Sequence, residues 1–210
     1  MTETFQLHRG DLPDGLDLGP SVAIDTETMG LNPLRDRLCL VQLSAGNGIC
    51  HLVQIPPQTG ADGGAAAANL RQLLSDERVV KLFHFARFDI GMLYRHLGVL
   101  PAPVYCTKIA SKLVRTYTDR HGLKDLCREL LGVEISKEQQ SSDWGAPNLT
   151  PEQLRYAAGD VLHLHHLRQK LDIMLEREGR VDLAEACFRF LPARARLDVD
   201  GWAAEDIFAY

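Results

Sequence analysis

The sequence predicts an α/β fold: a mixed β-sheet flanked by α-helices. Three observations predict it. Short apolar runs crowd the first half of the chain, and two of them flank a Gly-Asn-Gly turn. Later runs alternate with helix-period segments. After Cys106 the pattern is helical almost throughout.

Thr4 to Leu7 fits a short edge strand, and Asp11 to Gly19 is turn-rich. Ser21 to Thr26 is the first central strand, an apolar run of the kind buried on both faces. Met29-Gly30-Leu31-Asn32-Pro33 ends it. Leu38 to Leu43 and Ile49 to Ile55 are strands joined at Gly46-Asn47-Gly48, which makes a hairpin. Thr59 to Ala68 is a Gly/Ala-rich loop leading into a helix that continues over Asn69 to Asp76. Val79 to Phe83 is a strand, and Ala86 to Leu97 a helix ended by Gly98 and Pro101. Val104 to Cys106 is the last strand. Helices follow over Thr107 to Thr116, Leu123 to Leu131 and Pro151 to Glu178. The long one has Thr150 as N-cap, Pro151 at its first position and Gln153 to complete a capping box. Val181 to Leu191 is a further helix, and Pro192 to Tyr210 an irregular tail with Trp202 and Phe208.

A chain of 210 residues, 45 % hydrophobic and 24 % charged, suits one domain with a full core. The net charge of -5 speaks against tracking long duplexes by charge alone. It leaves a short substrate, a local basic patch, or no nucleic acid. The five cysteines form no CxxC pair and read as reduced thiols. No signal peptide and no membrane-spanning run are visible, so a cytoplasmic protein without a membrane partner is expected.

The chemistry starts at Val22-Ala23-Ile24-Asp25-Thr26-Glu27. Alternate strand residues share a face, so Asp25 and Glu27 project together. Two such carboxylates repel, and a hard divalent cation, Mg²⁺ or Mn²⁺, lets both stay ionised. Asp89 follows in the first turn of a helix, and Tyr156 and Asp160 lie four apart on one helical face. Taken singly, each has a plainer reading: solvated acids, a helix-dipole partner, a boundary tyrosine. Together, four acids from three elements suit two divalent cations, as in two-metal phosphoryl transfer. Tyr156 is placed to orient the attacking water, or to help deprotonate it.

In this order, Asp25-Thr26-Glu27, Phe88-Asp89 and Tyr156-Ala157-Ala158-Gly159-Asp160 resemble the DEDD 3′–5′ exonucleases of the tyrosine branch. The histidine branch would place His where this chain has Arg155. Gly122-Leu123-Lys124-Asp125-Leu126 and Ser142-Asp143-Trp144 are similar to the ribonuclease D group, and the short chain and tail to its compact bacterial members. The resemblance implies an RNase H-like fold and an exonuclease domain over residues 1–178, with residues 179–210 a helix and tail of the same domain that contacts other copies. It implies two cations on Asp25, Glu27, Asp89 and Asp160, with Tyr156 catalytic beside them. It also implies short single-stranded RNA, dinucleotides above all, as substrate, and a ring-like homo-oligomer such as an octamer. Many family members have Asn where this chain has Phe85, which touches a substrate contact and leaves the acids intact.

Thr26, Met29, Leu31, His84, Phe85 and Phe88 sit beside the acids in sequence and are the candidate substrate contacts. In related exonucleases a leucine at the position of Leu31 wedges between bases; the alternative is a Leu packed on the core. Phe85 offers a face for base stacking. Lys108, Lys112 and Arg115 share one helical face, and with them the run to Arg128 is a local positive patch, for substrate phosphates or an acidic neighbour. His163, His165 and His166 read as helix-surface residues rather than a metal cluster. DNA trimming or proofreading is the second functional reading. A non-catalytic nucleic-acid-binding module on the same fold is the third.

Overall fold

In the computed structural model, which describes residues 5–57, 67–136 and 138–209, β1 (Phe5–Arg9) forms one edge of a six-stranded sheet. The other strands are β2 (Ser21–Thr28), β3 (Leu38–Ser44), β4 (Cys50–Gln54), β5 (Val80–Phe83) and β6 (Val104–Cys106). Their spatial order is β1-β4-β3-β2-β5-β6. β3 pairs antiparallel with both β2 and β4; the other pairs are parallel. The sheet is therefore mixed, as the hairpin followed by crossovers predicted. Val22, Ala23 and Ile24 are wholly buried, and β3 is buried from end to end, which explains their largely apolar runs.

The end of β2 is irregular. Its register against β3 shifts between Glu27 and Thr28, a bulge of the kind that re-aims side chains next to active sites. The chain then enters the loop 29–36, gathered around the carboxylate of Asp36. Asp36 Oδ2 accepts from Asn32 N at 2.9 Å, and a Cβ on Gly30 would run into this same carboxylate.

The helices are α1 (Ala68–Ser75), α2 (Ala86–Leu97), α3 (Thr107–Val114), α4 (Leu123–Leu126), α5 (Pro151–Leu162), α6 (Leu164–Arg177) and α7 (Val181–Leu197). Most of the Gly/Ala-rich stretch before α1 lies outside the described residues. Asp11, from far back in the chain, caps α1 by accepting from Asn69 N at 2.8 Å and Leu70 N at 2.9 Å. α4 passes into five residues of wider π-type winding, Cys127–Leu131. The capping box of α5 is formed in both directions: Thr150 Oγ1 accepts from Gln153 N, and Gln153 Oε1 from Thr150 N.

Two expectations need correction. The single helix from Pro151 to Glu178 is two helices, broken at His163. α5 packs on β2, β3 and β4, whereas α6 packs chiefly on α3, so each half follows a different layer. The apolar stripe Leu154, Ala157, Val161, Leu164, Leu171 and Leu175 is buried across the break as predicted. Pro192 does not start an irregular tail either. α7 runs through it to Leu197, and a π-type turn, Asp198–Trp202, follows. Pro192 removes one backbone donor, at about 3 kcal/mol in a helix interior. The buried stripe Ala184, Phe188, Leu191 and Ala195, packed on α2 and β6, offsets that loss. Among the described residues, no helix is long and apolar enough to cross a membrane.

Candidate active site

The cleft lies where β2 and β5 end, beside α5 packed on β2, with a volume of about 650 Å³. Asp25 and Glu27 enter from β2, Asp89 from the first turn of α2, and Tyr156 and Asp160 from α5. One carboxylate oxygen each of Asp25, Glu27 and Asp160 lies within 4.8 Å of the others. Residues 135 apart in sequence thus share one small volume. Asp89 is more deeply buried, at 3 % exposure, and accepts a hydrogen bond from Thr26 Oγ1 at 2.6 Å. Thr26 points to the opposite side of the strand from its two acidic neighbours and holds the third acid in place.

The electrostatics show the cost of this arrangement. Burial pushes the Asp25 carboxyl up to about 7. Burial, with the charges of Asp25, Asp160 and Asp89, pushes Glu27 up to about 10. Asp89 is raised well above the usual carboxylate range by burial and by Asp25, against the opposing hydrogen bond from Thr26. Burial first, then Asp160, Glu27 and Asp25, raise the Tyr156 hydroxyl, so it stays protonated at neutral pH. Clustered, partly desolvated carboxylates with no cationic side chain among these causes are a ligand set for a hard divalent cation. All the donors are oxygens, which fits Mg²⁺ or Mn²⁺ and not a thiophilic metal.

The substrate candidates divide. Thr26, Met29, Leu31, His84, Phe85, Phe88 and Lys108 all line the cleft. Leu31 is 84 % exposed at its rim, so it is not a core leucine. Phe85 is half exposed and carries a left-handed backbone, φ 67°, at the N-cap of α2. That conformation suits Asn, which the resemblance leads one to expect at this position, and strains Phe. Lys108 Nζ lies 4.2 Å from the centre of the Phe85 ring. His84 Nδ1 shares a 2.9 Å hydrogen bond with Thr107 Oγ1.

Lys112 is exposed but outside the cleft. Arg115 is a clear correction: it is fully buried. It ion-pairs with Glu129 and donates to Arg120 O at 2.7 Å and Ser111 Oγ at 3.2 Å, so it braces the fold and meets no substrate. Helical spacing put it on one face with Lys108, but α3 ends at Val114 and the next residue turns inward.

The structure brings two further groups to the site: Trp144, to which sequence reasoning gave no role, and Lys124, which it placed only in the positive patch. Trp144 is buried in the cleft wall with its ring 6.0 Å from Tyr156. It is fixed through Gln153, whose amide donates to Ser142 Oγ at 3.0 Å and Asp143 O at 3.1 Å while its carbonyl completes the capping box. Lys124 also lines the cleft. The Gly122–Leu126 and Ser142–Trp144 motifs were the available signals, though neither told which side chains face the cleft. His165 proves half-buried, bonded to Ser21 O at 3.1 Å, and joins no metal cluster.

The chain is similar to known nucleases. A family model described as 3′-5′ exonuclease matches residues 12–176. Ribonuclease D of Gluconacetobacter diazotrophicus is 39 % identical over 163 residues, 78 % of this chain and 40 % of that protein. The chain thus spans about two-fifths to half the length of the curated relatives it matches. Brucella melitensis NrnC, in a structure with bound Mg²⁺, is 55 % identical with a TM-score of 0.92, covering 99 % of this chain and 100 % of that one. Its structure bound to pGG is 55 % identical with a TM-score of 0.93, covering both chains in full.

Proposed function

This chain belongs to the 3′-5′ exonuclease family, within the ribonuclease D group, and from that membership we propose that it hydrolyses very short RNA, dinucleotides above all, from the 3′ end. The observation that carries the chemistry is the trio Asp25, Glu27 and Asp160 within 4.8 Å, with Tyr156 alongside. Full-length likeness to NrnC, a protein solved both with Mg²⁺ and with pGG, supports the choice of substrate and metal.

On this reading Asp25, Glu27, Asp89 and Asp160 hold two divalent cations, Mg²⁺ or Mn²⁺. When bound, these supply Lewis acidity and positive charge for the in-line displacement at phosphorus. Tyr156, protonated in this environment, orients the attacking water through its hydroxyl rather than serving as the base. Water adds to the terminal phosphodiester, the bond to the 3′ oxygen breaks, and a 5′-mononucleotide leaves. Leu31, exposed at the rim with Met29, wedges against the terminal bases. Phe85 stacks on a base, Phe88 and His84 back it, and Lys108 meets a phosphate.

Residues 1–178 are read as the exonuclease unit, a span that contains the matched residues 12–176. Residues 179–210, whose helix α7 packs on α2, belong to the same body. The exposed Trp202, Ile207 and Phe208 are read as contacts between copies in a homo-oligomer, and a monomeric mass by light scattering removes that part. The five free cysteines agree with a cytoplasmic setting.

The test uses 5′-labelled RNA and DNA, each as a dinucleotide and a seven-mer, with Mn²⁺ or Mg²⁺ and an Asp25→Ala control. Faster loss of the RNA dinucleotide, only with metal and wild type, is the expected result. Stepwise trimming of the seven-mer while the dinucleotide persists overturns the substrate assignment. Preference for the DNA strands makes it a DNA exonuclease.

A further inference from the structure

Gln42 is the one long polar side chain on a strand otherwise built for the core. β3 reads Leu38-Cys39-Leu40-Val41-Gln42-Leu43-Ser44, and all seven residues are buried. Ser44 is accounted for, because its hydroxyl donates to Ile49 O at 2.7 Å and fixes the hairpin turn. Gln42 has no such local task. It is 0 % exposed and stands directly opposite Asp25 in the antiparallel register. Opposed residues share a face of the sheet, and Glu27, two residues on, is the diagonal neighbour on that face.

The amide reaches both acids. Gln42 Nε2 lies 3.4 Å from Asp25 Oδ2 and 3.5 Å from Glu27 Oε1. These are long contacts, at the outer limit of a hydrogen bond. An amide nitrogen has two protons, so one group serves two carboxylates. The orientation suits the ionised, cation-binding form of the two acids, since turning the amide over would aim its carbonyl oxygen at them. The consequence is visible on the other side: Gln42 Oε1 is buried and accepts no hydrogen bond among the described residues. A buried, unpartnered carbonyl disfavours folding, and a leucine here would avoid it. What the glutamine provides in return is a neutral donor where any cationic donor would compete with a bound cation.

We infer that Gln42 is a positioning residue of the active site, which tethers one oxygen of Asp25 and one of Glu27 and so leaves each carboxylate a second oxygen directed at the divalent cation. The inference rests on the proposed metal-dependent reaction and names a group outside the cleft wall that acts through the two acids. Partners of this kind, one step behind the ligands, typically set metal affinity by about 10–100-fold.

The experiment titrates Mn²⁺ into metal-stripped protein, with free Mn²⁺ read by electron paramagnetic resonance. It compares wild type, Gln42→Leu and Asp25→Ala, and folding is checked by circular dichroism. Gln42→Leu should stay folded and bind Mn²⁺ about 10–100-fold more weakly. The Mn²⁺ concentration for half-maximal dinucleotide cleavage should rise by the same factor, with KM for the dinucleotide unchanged. Gln42→Met keeps the length and burial if the leucine variant does not fold. A folded variant that binds Mn²⁺ as wild type does makes Gln42 a structural residue only, and the inference falls alone. A wild type that binds no Mn²⁺ and cleaves nothing takes the proposed function down, and this inference with it.

Discussion

Replacing Glu27 with glutamine should stabilise the metal-free protein while abolishing its activity. Glu27 is partly buried and faces Asp25 and Asp160 within 4.8 Å; desolvation first, then the charges of Asp25, Asp160 and Asp89, push its carboxyl up to about 10. Two unit charges at that distance repel by about 3.5 kcal/mol in an effective dielectric of about 20. The folded protein escapes part of this by keeping a proton on Glu27. The cost then grows by about 1.4 kcal/mol for each pH unit above the ordinary glutamate value. At pH 7.5 that amounts to about 2–4 kcal/mol after allowance for residual solvent. The sign follows from the direction of the shift. A carboxyl raised on folding binds its proton more tightly in the folded state, so metal-free stability is greatest below about pH 4.5. It then falls as pH rises toward the raised value. Glu27→Gln has no such proton to lose. For a chain of this size each kcal/mol is worth about 2–4 °C. Thermal unfolding in EDTA should therefore place the variant about 5–12 °C above wild type at pH 7.5, with the two converging near pH 4.5. Saturating Mg²⁺ should raise the wild-type Tm more than the variant's. A variant no more stable than wild type at pH 7.5, or a gap that does not widen with pH, would refute the view of Glu27 as a strained ligand.

Three further substitutions probe the frame. Thr26→Val removes the 2.6 Å hydrogen bond to buried Asp89 and should cost about 1.5–3 kcal/mol, read as a lower Tm, with at least a tenfold loss of cleavage from a freed carboxylate. Arg115→Met removes the ion pair with Glu129, which keeps Arg128 and partial solvent, and the bonds to Arg120 O and Ser111 Oγ; it should destabilise by about 1–3 kcal/mol, yet leave KM for the dinucleotide unchanged, and a raised KM would return Arg115 to the substrate site. Phe85→Asn relieves left-handed strain of about 1–2 kcal/mol, less the lost contact with Lys108. Its Tm should rise slightly, while KM for the dinucleotide climbs at least fivefold with the loss of stacking, and an unchanged KM would show that no base rests on Phe85.

How much of this was legible in the sequence follows from which forces are local. Hydrophobic period and turn chemistry placed every strand and the start of α5, because a capping box and a Gly-Asn-Gly turn are written within a few residues. The break at His163 was not legible, since it arises from what α5 and α6 pack against. Pro192 misled for the same reason: its local cost is real, but the buried stripe on either side outweighs it. In the site, the five motif residues were readable as an ordered set, whereas Arg115 was not, because whether a basic side chain points outward depends on where its helix stops.

The residues that break a local rule gather in one place. Asp25, Glu27 and Asp160 crowd like charges together. Phe85 takes a conformation that a β-carbon resists, at the N-cap of the helix that carries Asp89. Gln42 buries a carbonyl without a partner. Scattered through the core, such features would read as ordinary imperfections; here the acids and Phe85 line the cleft and Gln42 stands directly behind two of those acids. A fold under selection for stability alone would have placed apolar or neutral residues at these positions. Their concentration suits a site that takes a positive charge and a base, the reading proposed above. On the proposed reading a cation would relieve the carboxylates, and a stacked base would cover the exposed Phe85 ring. Ligand binding should therefore raise stability by more than contact area alone would suggest. Thermal shifts for Mn²⁺ and a dinucleotide added together to the cleavage-dead Tyr156→Phe variant should then exceed the sum of the two added singly, and strict additivity would show that the two sites are relieved independently.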